Sequence, residues 1–177
     1  QYEGVKAEHL AVRNSLGVFD VSHMGEFYIT GDKSHDFLQS ILSNDISVLI
    51  NDQAQYTCMP NDKNGIVDDL IVYKFNDKKY MLVVNASNIE KDLNWINSKN
   101  NYGVSIKNES DKYSLLAIQG PKAIDAMQSL TNIELNSIAF YHFKQGLFAG
   151  FDDVIISATG YTAVSYTHLT LPTIRSV

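Results

Sequence analysis

An antiparallel α+β fold, with sheets flanked by helices, is the architecture this sequence predicts. Two observations carry it: the strand-like segments cluster, and the turns between them are short, where a doubly wound parallel sheet needs about a dozen residues or more for each crossover. The composition agrees with a folded chain. Of 177 residues, 45% are hydrophobic and 19% charged, enough for one domain at the upper end of ordinary size or for two small ones.

The elements follow in order. Residues 4–16 read as mostly helical, with Val5, Leu10, Val12 and Leu16 as the apolar positions and Gly17 as the stop. Residues 18–21 and 26–30 read as short strands. Asp32 or Ser34 is placed to cap a helix whose Phe37, Leu38, Ile41 and Leu42 lie along one face. Residues 54–85 predict a three-stranded meander, with turns at Asn61-Asp62-Lys63-Asn64-Gly65 and Asn76-Asp77-Lys78-Lys79. Ser87-Asn88-Ile89-Glu90 has the pattern of a capping box, ahead of a helix that buries Ile89, Leu93 and Ile96. Residues 102–106 and 113–119 are expected strands, and Gly120-Pro121 opens a further helix because proline suits the first helical position. Strands at 140–148 and 154–158 complete the pattern.

Charge and cysteine content exclude several classes of function. With 14 Lys+Arg against 20 Asp+Glu, the formal net charge is −6, the wrong sign for gripping nucleic-acid backbone or anionic lipid. A single cysteine, Cys58, excludes an intrachain disulfide and an all-cysteine metal site, and fits a reducing compartment. The longest apolar run, Tyr80-Met81-Leu82-Val83-Val84, falls far short of the ~20 residues that span a bilayer as a helix, so a soluble protein is expected.

The segment Gly65-Ile66-Val67-Asp68-Asp69-Leu70-Ile71-Val72-Tyr73 is the most informative for chemistry. A period of two puts Val67, Asp69, Ile71 and Tyr73 on one face and Ile66, Asp68, Leu70 and Val72 on the other. If both faces are covered, at least one carboxylate points into an apolar layer, which costs several kcal/mol unless hydrogen bonds or a function hold it there. The other reading is that both aspartates cap the preceding turn at a solvated strand edge. Asp20-Val21-Ser22-His23 contains the residue types of a hydrolase triad, but neighbours on a strand point to opposite faces, so chance is the better account. The five histidines show no metal-ligand spacing, and Gly25 and Gly31 form no phosphate-cradling loop. Tyr28, Tyr56 and Tyr73 are candidates for a flat aromatic pocket or for ordinary core positions with a wet tip.

One family accounts for these motifs in order. Glu8-His9-Leu10-Ala11-Val12-Arg13, Phe19-Asp20-Val21-Ser22-His23-Met24-Gly25-Glu26, Asn44-Asp45, Ala54-Gln55-Tyr56-Thr57, Gly65-Ile66-Val67-Asp68-Asp69-Leu70, Val84-Asn85-Ala86, Glu90-Lys91-Asp92, Gln119-Gly120-Pro121 and Thr159-Gly160-Tyr161-Thr162 together resemble aminomethyltransferase, the T-protein of the glycine cleavage system. The resemblance implies an incomplete folate-binding domain of the T-protein type. It also implies a tetrahydrofolate-dependent transferase that moves a methylene carbon from the aminomethyl-lipoyl arm of the H-protein to tetrahydrofolate and releases ammonia. Asp69 then takes the role of the acid beside the pterin, raising the nucleophilicity of the attacking ring nitrogen, and Met24, Tyr56, Tyr73, Asn85 and Tyr161 fall on positions that line the folate pocket. A bacterial cytoplasm, or a mitochondrial matrix in a eukaryote, is the implied compartment; metal, nucleic acid and membrane have no part. Two relatives in function remain as alternatives: a folate-binding protein of iron–sulfur assembly, and the folate domain of a demethylating dehydrogenase.

The ends depart from the family. Gln1-Tyr2-Glu3-Gly4 reads as the middle of a longer protein, and Ala163 stands where the family carries glycine after Gly-Tyr-Thr. From 163 to 177 the chain has no Asn, Asp, Lys or Gly, and Val164-Ser165-Tyr166-Thr167-His168-Leu169-Thr170-Leu171-Pro172-Thr173 resembles a translated library adaptor, the other reading being a Thr/Leu-rich terminal strand. The expected organisation is therefore a folate-binding aminomethyltransferase-like fragment at 1–162 and an artefactual tail at 163–177. Folate contacts from outside the segment are missing, so weak or absent folate binding and an inactive fragment are expected.

Overall fold

A computed structural model describes residues 2–160 in full and 166–172 as a backbone strand. The chain forms two compact units, one from residues 1–22 with 112–177 and one from residues 23–111. The expected α+β architecture with antiparallel sheets is what forms, and each unit holds one five-stranded sheet.

The first unit contains α1 (Val5–Asn14), β1 (Gly17–Asp20), and later β7 (Tyr113–Gln119), α4 (Ala123–Gln128), β8 (Phe143–Phe148), β9 (Phe151–Ser157) and β10 (Tyr166–Pro172). Its strand order is β1-β7-β10-β9-β8, and every pairing is antiparallel. β10 lies in the segment that the sequence assigns to an adaptor tail, and its backbone pairs with both β7 and β9. Ile118, Ala123, Met127, Leu135, Phe148, Val154 and Ile156 form this unit's core. Helix α1 differs from expectation: it ends at Ser15, not Gly17, and buries no residue, since its apolar face is only partly covered. Gly120, at φ +119°, is required by packing as well as by its dihedral, because a Cβ there would lie 2.5 Å from the Ser15 carbonyl oxygen.

The second unit contains β2 (Gly25–Thr30), α2 (Ser34–Ile41), β3 (Gln53–Pro60), β4 (Ile66–Asn76), β5 (Lys79–Val84), α3 (Ile89–Lys99) and β6 (Ser105–Asn108). Its strand order is β3-β4-β5-β2-β6. The predicted meander is present as β3-β4-β5. Its first turn is closed by Asn61, whose Oδ1 accepts from the amides of Lys63 (2.8 Å) and Gly65 (3.0 Å). The alternating residues Phe27, Ile29, Met59, Leu70, Val72, Tyr80, Leu82 and Val84 face Phe37, Leu38 and Ile41 of α2 and Ile96 of α3 in one core.

Both proposed side-chain caps in this unit are absent. Lys33 precedes α2, Asp32 pairs with Lys78 at 2.7 Å, and Ser34 lies buried inside the helix. A turn of 3₁₀ helix over Ala86–Asn88 leads into α3, whose N-cap is Asn88 with no side-chain cap bond, so the Ser87–Glu90 capping box does not form. The strand expected at 102–106 begins instead at Ser105. Asn100 explains the delay: its side chain bonds the amide (3.2 Å) and carbonyl (2.8 Å) of Val104 and holds the intervening residues in a loop. Among the described residues, no helix is long and apolar enough to cross a membrane.

Candidate functional site

Strand β4 of the second unit places the two neighbouring aspartates on opposite faces, as its alternation requires. Asp68 shares the core face with Leu70 and Val72 and is 8% exposed. Asp69 shares the other face with Ile71 and Tyr73. The register lays out that second face in rows: Cys58 opposite Asp69, then Tyr56-Ile71-Val83-Glu26, then Ala54-Tyr73-Met81-Tyr28. Tyr73 is 3% exposed, and Tyr56, at 49%, is the open end of its row.

Asp69 is held at both oxygens. The Tyr56 hydroxyl donates to Oδ2 at 2.5 Å, and Asn85 Nδ2 donates to Oδ1 at 2.8 Å. Asn85 follows β5 directly, and its Nδ2 also meets the Asp69 carbonyl oxygen (3.1 Å) and Asp68 Oδ1 (3.0 Å). Two amide hydrogens thus serve three acceptors, tying both aspartates to one side chain. Each Asp69 oxygen keeps a second lone pair for a ligand N–H. A half-buried carboxylate with fixed orientation, next to Ile71 and the tyrosine rings, suits a flat heterocycle whose edge carries hydrogen-bond donors.

Behind it, Asp68 is packed with donors. Asn88 Nδ2 donates to Oδ2 at 2.9 Å, and the Asp69 amide to Oδ1 at 3.0 Å. Burial pushes the Asp68 carboxyl up, but hydrogen bonds from Asp92, Asn88, Asn85 and the Asp69 amide outweigh it and hold the group below the usual range. Asp92, on α3, is fully buried. Burial, then the Asp68 carboxyl as hydrogen-bonding partner and as charge, raise it to about 7.

The expected site residues fall as follows. Asp69, Tyr56 and Asn85 are joined by hydrogen bonds. Tyr73 lies on the same sheet face. Met24 immediately precedes Gly25, whose partner Val84 immediately precedes Asn85, so Met24 and Asn85 sit at the same end of the β2–β5 pair. Tyr161 lies outside the described residues. The Asp20-Ser22 pair forms a local turn, with Ser22 Oγ donating to Asp20 Oδ1 at 2.6 Å and accepting from the Leu115 amide at 3.0 Å.

Three residues escaped the sequence reading. Asn88 lies inside the predicted capping box, where its own side chain has no assigned part. Asp92 sits at the fourth-residue spacing of its own helix stripe, between Ile89 and Ile96 and beside Leu93, and that position was a legible signal. Glu26, on β2, is 1% exposed; its Oε2 meets no donor among the described residues, and burial raises it to about 8.

Comparison with known proteins agrees over nearly the whole chain. The family described as the GCVT N-terminal domain matches residues 1–165. An aminomethyltransferase of Flavobacterium psychrophilum is 62% identical over 162 residues, which is 92% of this chain and 45% of that protein. One from Bacteroides fragilis is 56% identical over the same shares. The chain therefore spans about half the length of the curated relatives it matches. Among solved structures, the glycine cleavage system aminomethyltransferase T of Bartonella henselae superposes with a TM-score of 0.84 at 30% identity, over 96% of this chain and 45% of that one. A heterotetrameric sarcosine oxidase from Corynebacterium shares the fold, with a TM-score of 0.63 at 13% identity over 97% of this chain and 88% of that one. With the family matched across both units, the chain belongs to the GCVT N-terminal domain family.

Proposed function

We propose that this segment is the folate-facing part of an aminomethyltransferase of the glycine cleavage type. The whole enzyme moves a methylene carbon from the aminomethyl-lipoyl arm of an H-protein to tetrahydrofolate in the cytoplasm. In that reaction the carbon gives up its bonds to ammonia and to the lipoyl sulfur and gains bonds to two folate nitrogens, leaving dihydrolipoyl carrier. The names borne by the relatives, at up to 62% identity, support the reaction class.

The observation that carries the reading is the Asp69 carboxylate, fixed by Tyr56 and Asn85 on a face shared with Ile71 and Tyr73. A pterin laid against Ile71 and the exposed Tyr56 ring, with the buried Tyr73 beneath that surface, presents N–H groups at its edge, and an acceptor-only carboxylate matches them. A hydrogen bond accepted by Asp69 from the pterin raises electron density at the attacking nitrogen, and the two holding bonds remove the entropy of placing the acid. Met24 and Tyr161 complete the proposed folate contacts.

The test is reconstitution. A chain extended to the full length of the relatives, given an aminomethylated lipoyl carrier protein and tetrahydrofolate, is expected to release ammonia and form 5,10-methylenetetrahydrofolate in equal amounts. Folate binding without either product would overturn the transferase reading. Isothermal titration of the present chain is expected to show weak or no folate binding.

A further inference from the structure

Asp92 has no part in the chemistry described above, yet it is a fully buried carboxyl on the core side of the strand that carries Asp69. Neither of its oxygens meets an N–H or hydroxyl donor among the described residues. The charged groups around it are Asp68 and Asp69 on β4 and Lys91 on its own helix. Lys91 Nζ stands 4.0 Å from Asp92 Oδ1, the outer limit of an ion pair and beyond hydrogen-bond reach, and donates instead to the Val67 carbonyl at 2.7 Å. That leaves the Asp68 carboxyl, which accepts from Asn88 at 2.9 Å, one helical turn before Asp92 on the same face of α3. Two facing carboxylates both accept and repel, so a hydrogen bond between them exists only when one keeps its proton. Asp68 accepts from Asn85 and the Asp69 amide at Oδ1 and from Asn88 at Oδ2, all of which favour its charged form and leave Oδ2 a further lone pair. The proton therefore belongs to Asp92.

We propose that Asp92 is a positioning residue for the Asp69 site: its protonated carboxyl donates to Asp68, and the anchored Asp68 fixes Asn85, the amide that orients Asp69. The part of this statement that concerns catalysis rests on the function proposed above; the shared proton does not. Loss of the proton puts a second charge against Asp68 and a third beside Asp69, so Asn85 is drawn toward the core pair and its hold on Asp69 Oδ1 weakens. The pair titrates as a unit, and burial places its upper step at about 7.

The experiment has two arms. In the present chain, aspartate carboxyl carbons and the Asn85 side-chain amide are followed by NMR across the neutral range, with Asp92→Asn identifying the Asp92 signal by its loss. The Asp92 signal is expected to titrate at about 7, the Asn85 amide signals to move with the same midpoint, and the Asn85 movement to vanish in Asp92→Asn. An Asp92 midpoint in the ordinary range near 4, or Asn85 signals that stay still through the transition, overturns the proposal. In the full-length enzyme, Asp92→Ala is expected to lower kcat about tenfold with little change in KM for folate. Asp92→Asn, which can still donate to Asp68 and serves as control should the alanine variant unfold, restores the greater part and removes the pH limb near neutrality. A folded Asp92→Ala enzyme with parental kcat and pH profile overturns the positioning role. If the NMR arm behaves as expected while the full-length parent forms no product, the proposed function fails and the shared proton stands.

Discussion

On the core face of the second unit's sheet, Asp68 lies among Leu70, Val72 and helix α3 and keeps its charge, because Asn85, Asn88 and a backbone amide supply donors to it. On the opposite face Glu26 is buried more deeply, at 1% exposed, and has an oxygen with no donor among the described residues; burial raises it to about 8. Asp69, on that same face, is half-buried and held by two donors. Depth of burial alone therefore does not decide whether an acid on this sheet is ionised. The count of donors aimed at it does: Asn85 and Asn88, in the short segment between β5 and α3, supply the side-chain amides, and Tyr56 and the Asp69 backbone amide supply the rest.

The largest test of this contrast is Asp69→Asn in the full-length enzyme. The amide keeps the size and can still accept at one atom, but loses the charge. Turnover should fall by about 10²–10⁴-fold, the range lost with a positioned acid–base group, while the folate Kd stays within about threefold. Steady-state kinetics beside isothermal titration separates the two. Unchanged turnover removes Asp69 from the chemistry, and a matched loss of affinity makes it a binding residue only.

Next in size is Glu26→Gln, read through stability. Glu26 in the folded protein holds its proton up to about pH 8, whereas an unfolded glutamate loses it near its ordinary value of 4.5. Between those values the folded state binds more protons, so stability declines as pH rises and the full cost, on the order of a few kcal/mol, is reached above pH 8. Glutamine should remove the Glu26 share, roughly half of the decline, leaving the part due to Asp92, which has the same sign and ends near 7. Urea denaturation from about pH 5 to about pH 9 gives the slope. An unaltered slope in the variant would mean that Glu26 ionises normally and the two faces do not differ.

A smaller effect is expected from Gly25→Ala, on the core side of β2. A Cβ there would lie 2.7 Å from Ile89 Cγ1 and 2.8 Å from Val84 Cγ2, pressing on the start of α3 where Asn88 is anchored. Overpacking of this kind costs about 1–3 kcal/mol. Chemical denaturation should show the loss, and the Asn88 side-chain amide signals should shift with it.

Much of this arrangement was legible in the sequence. The alternation over 66–73 assigned each aspartate to its face, because a period of two admits no other outcome once the strand exists. The meander and its Asn-Gly turn were legible for the same local reason. What failed were assignments that depend on distant partners. Ser87 and Glu90 have the spacing of a capping box, but Asn88, between them, donates across to Asp68, and the chain enters α3 through a 3₁₀ turn instead. Asp92 occupies a core position in its helix stripe, yet only its meeting with Asp68 shows why an acid belongs there. Strand starts slipped where a side chain closed a loop, as Asn100 does on Val104.

The separation of the two faces rests finally on register, since a slip by one residue would turn Asp69 inward and Asp68 outward. Asn61 is the residue that closes the β3–β4 turn, and a bulge between Met59 and Pro60 lies just before it. Asn61→Ala removes two hydrogen bonds at a partly exposed turn and should cost about 1 kcal/mol by chemical denaturation. The register itself should survive, because Met59, Leu70 and Val72 on one side would have to leave the core for any slip to occur. Cross-strand amide contacts between Cys58 and Asp69, followed by NMR, should therefore be unchanged. Their loss would show that the turn, and not the apolar alternation, decides which aspartate faces the core.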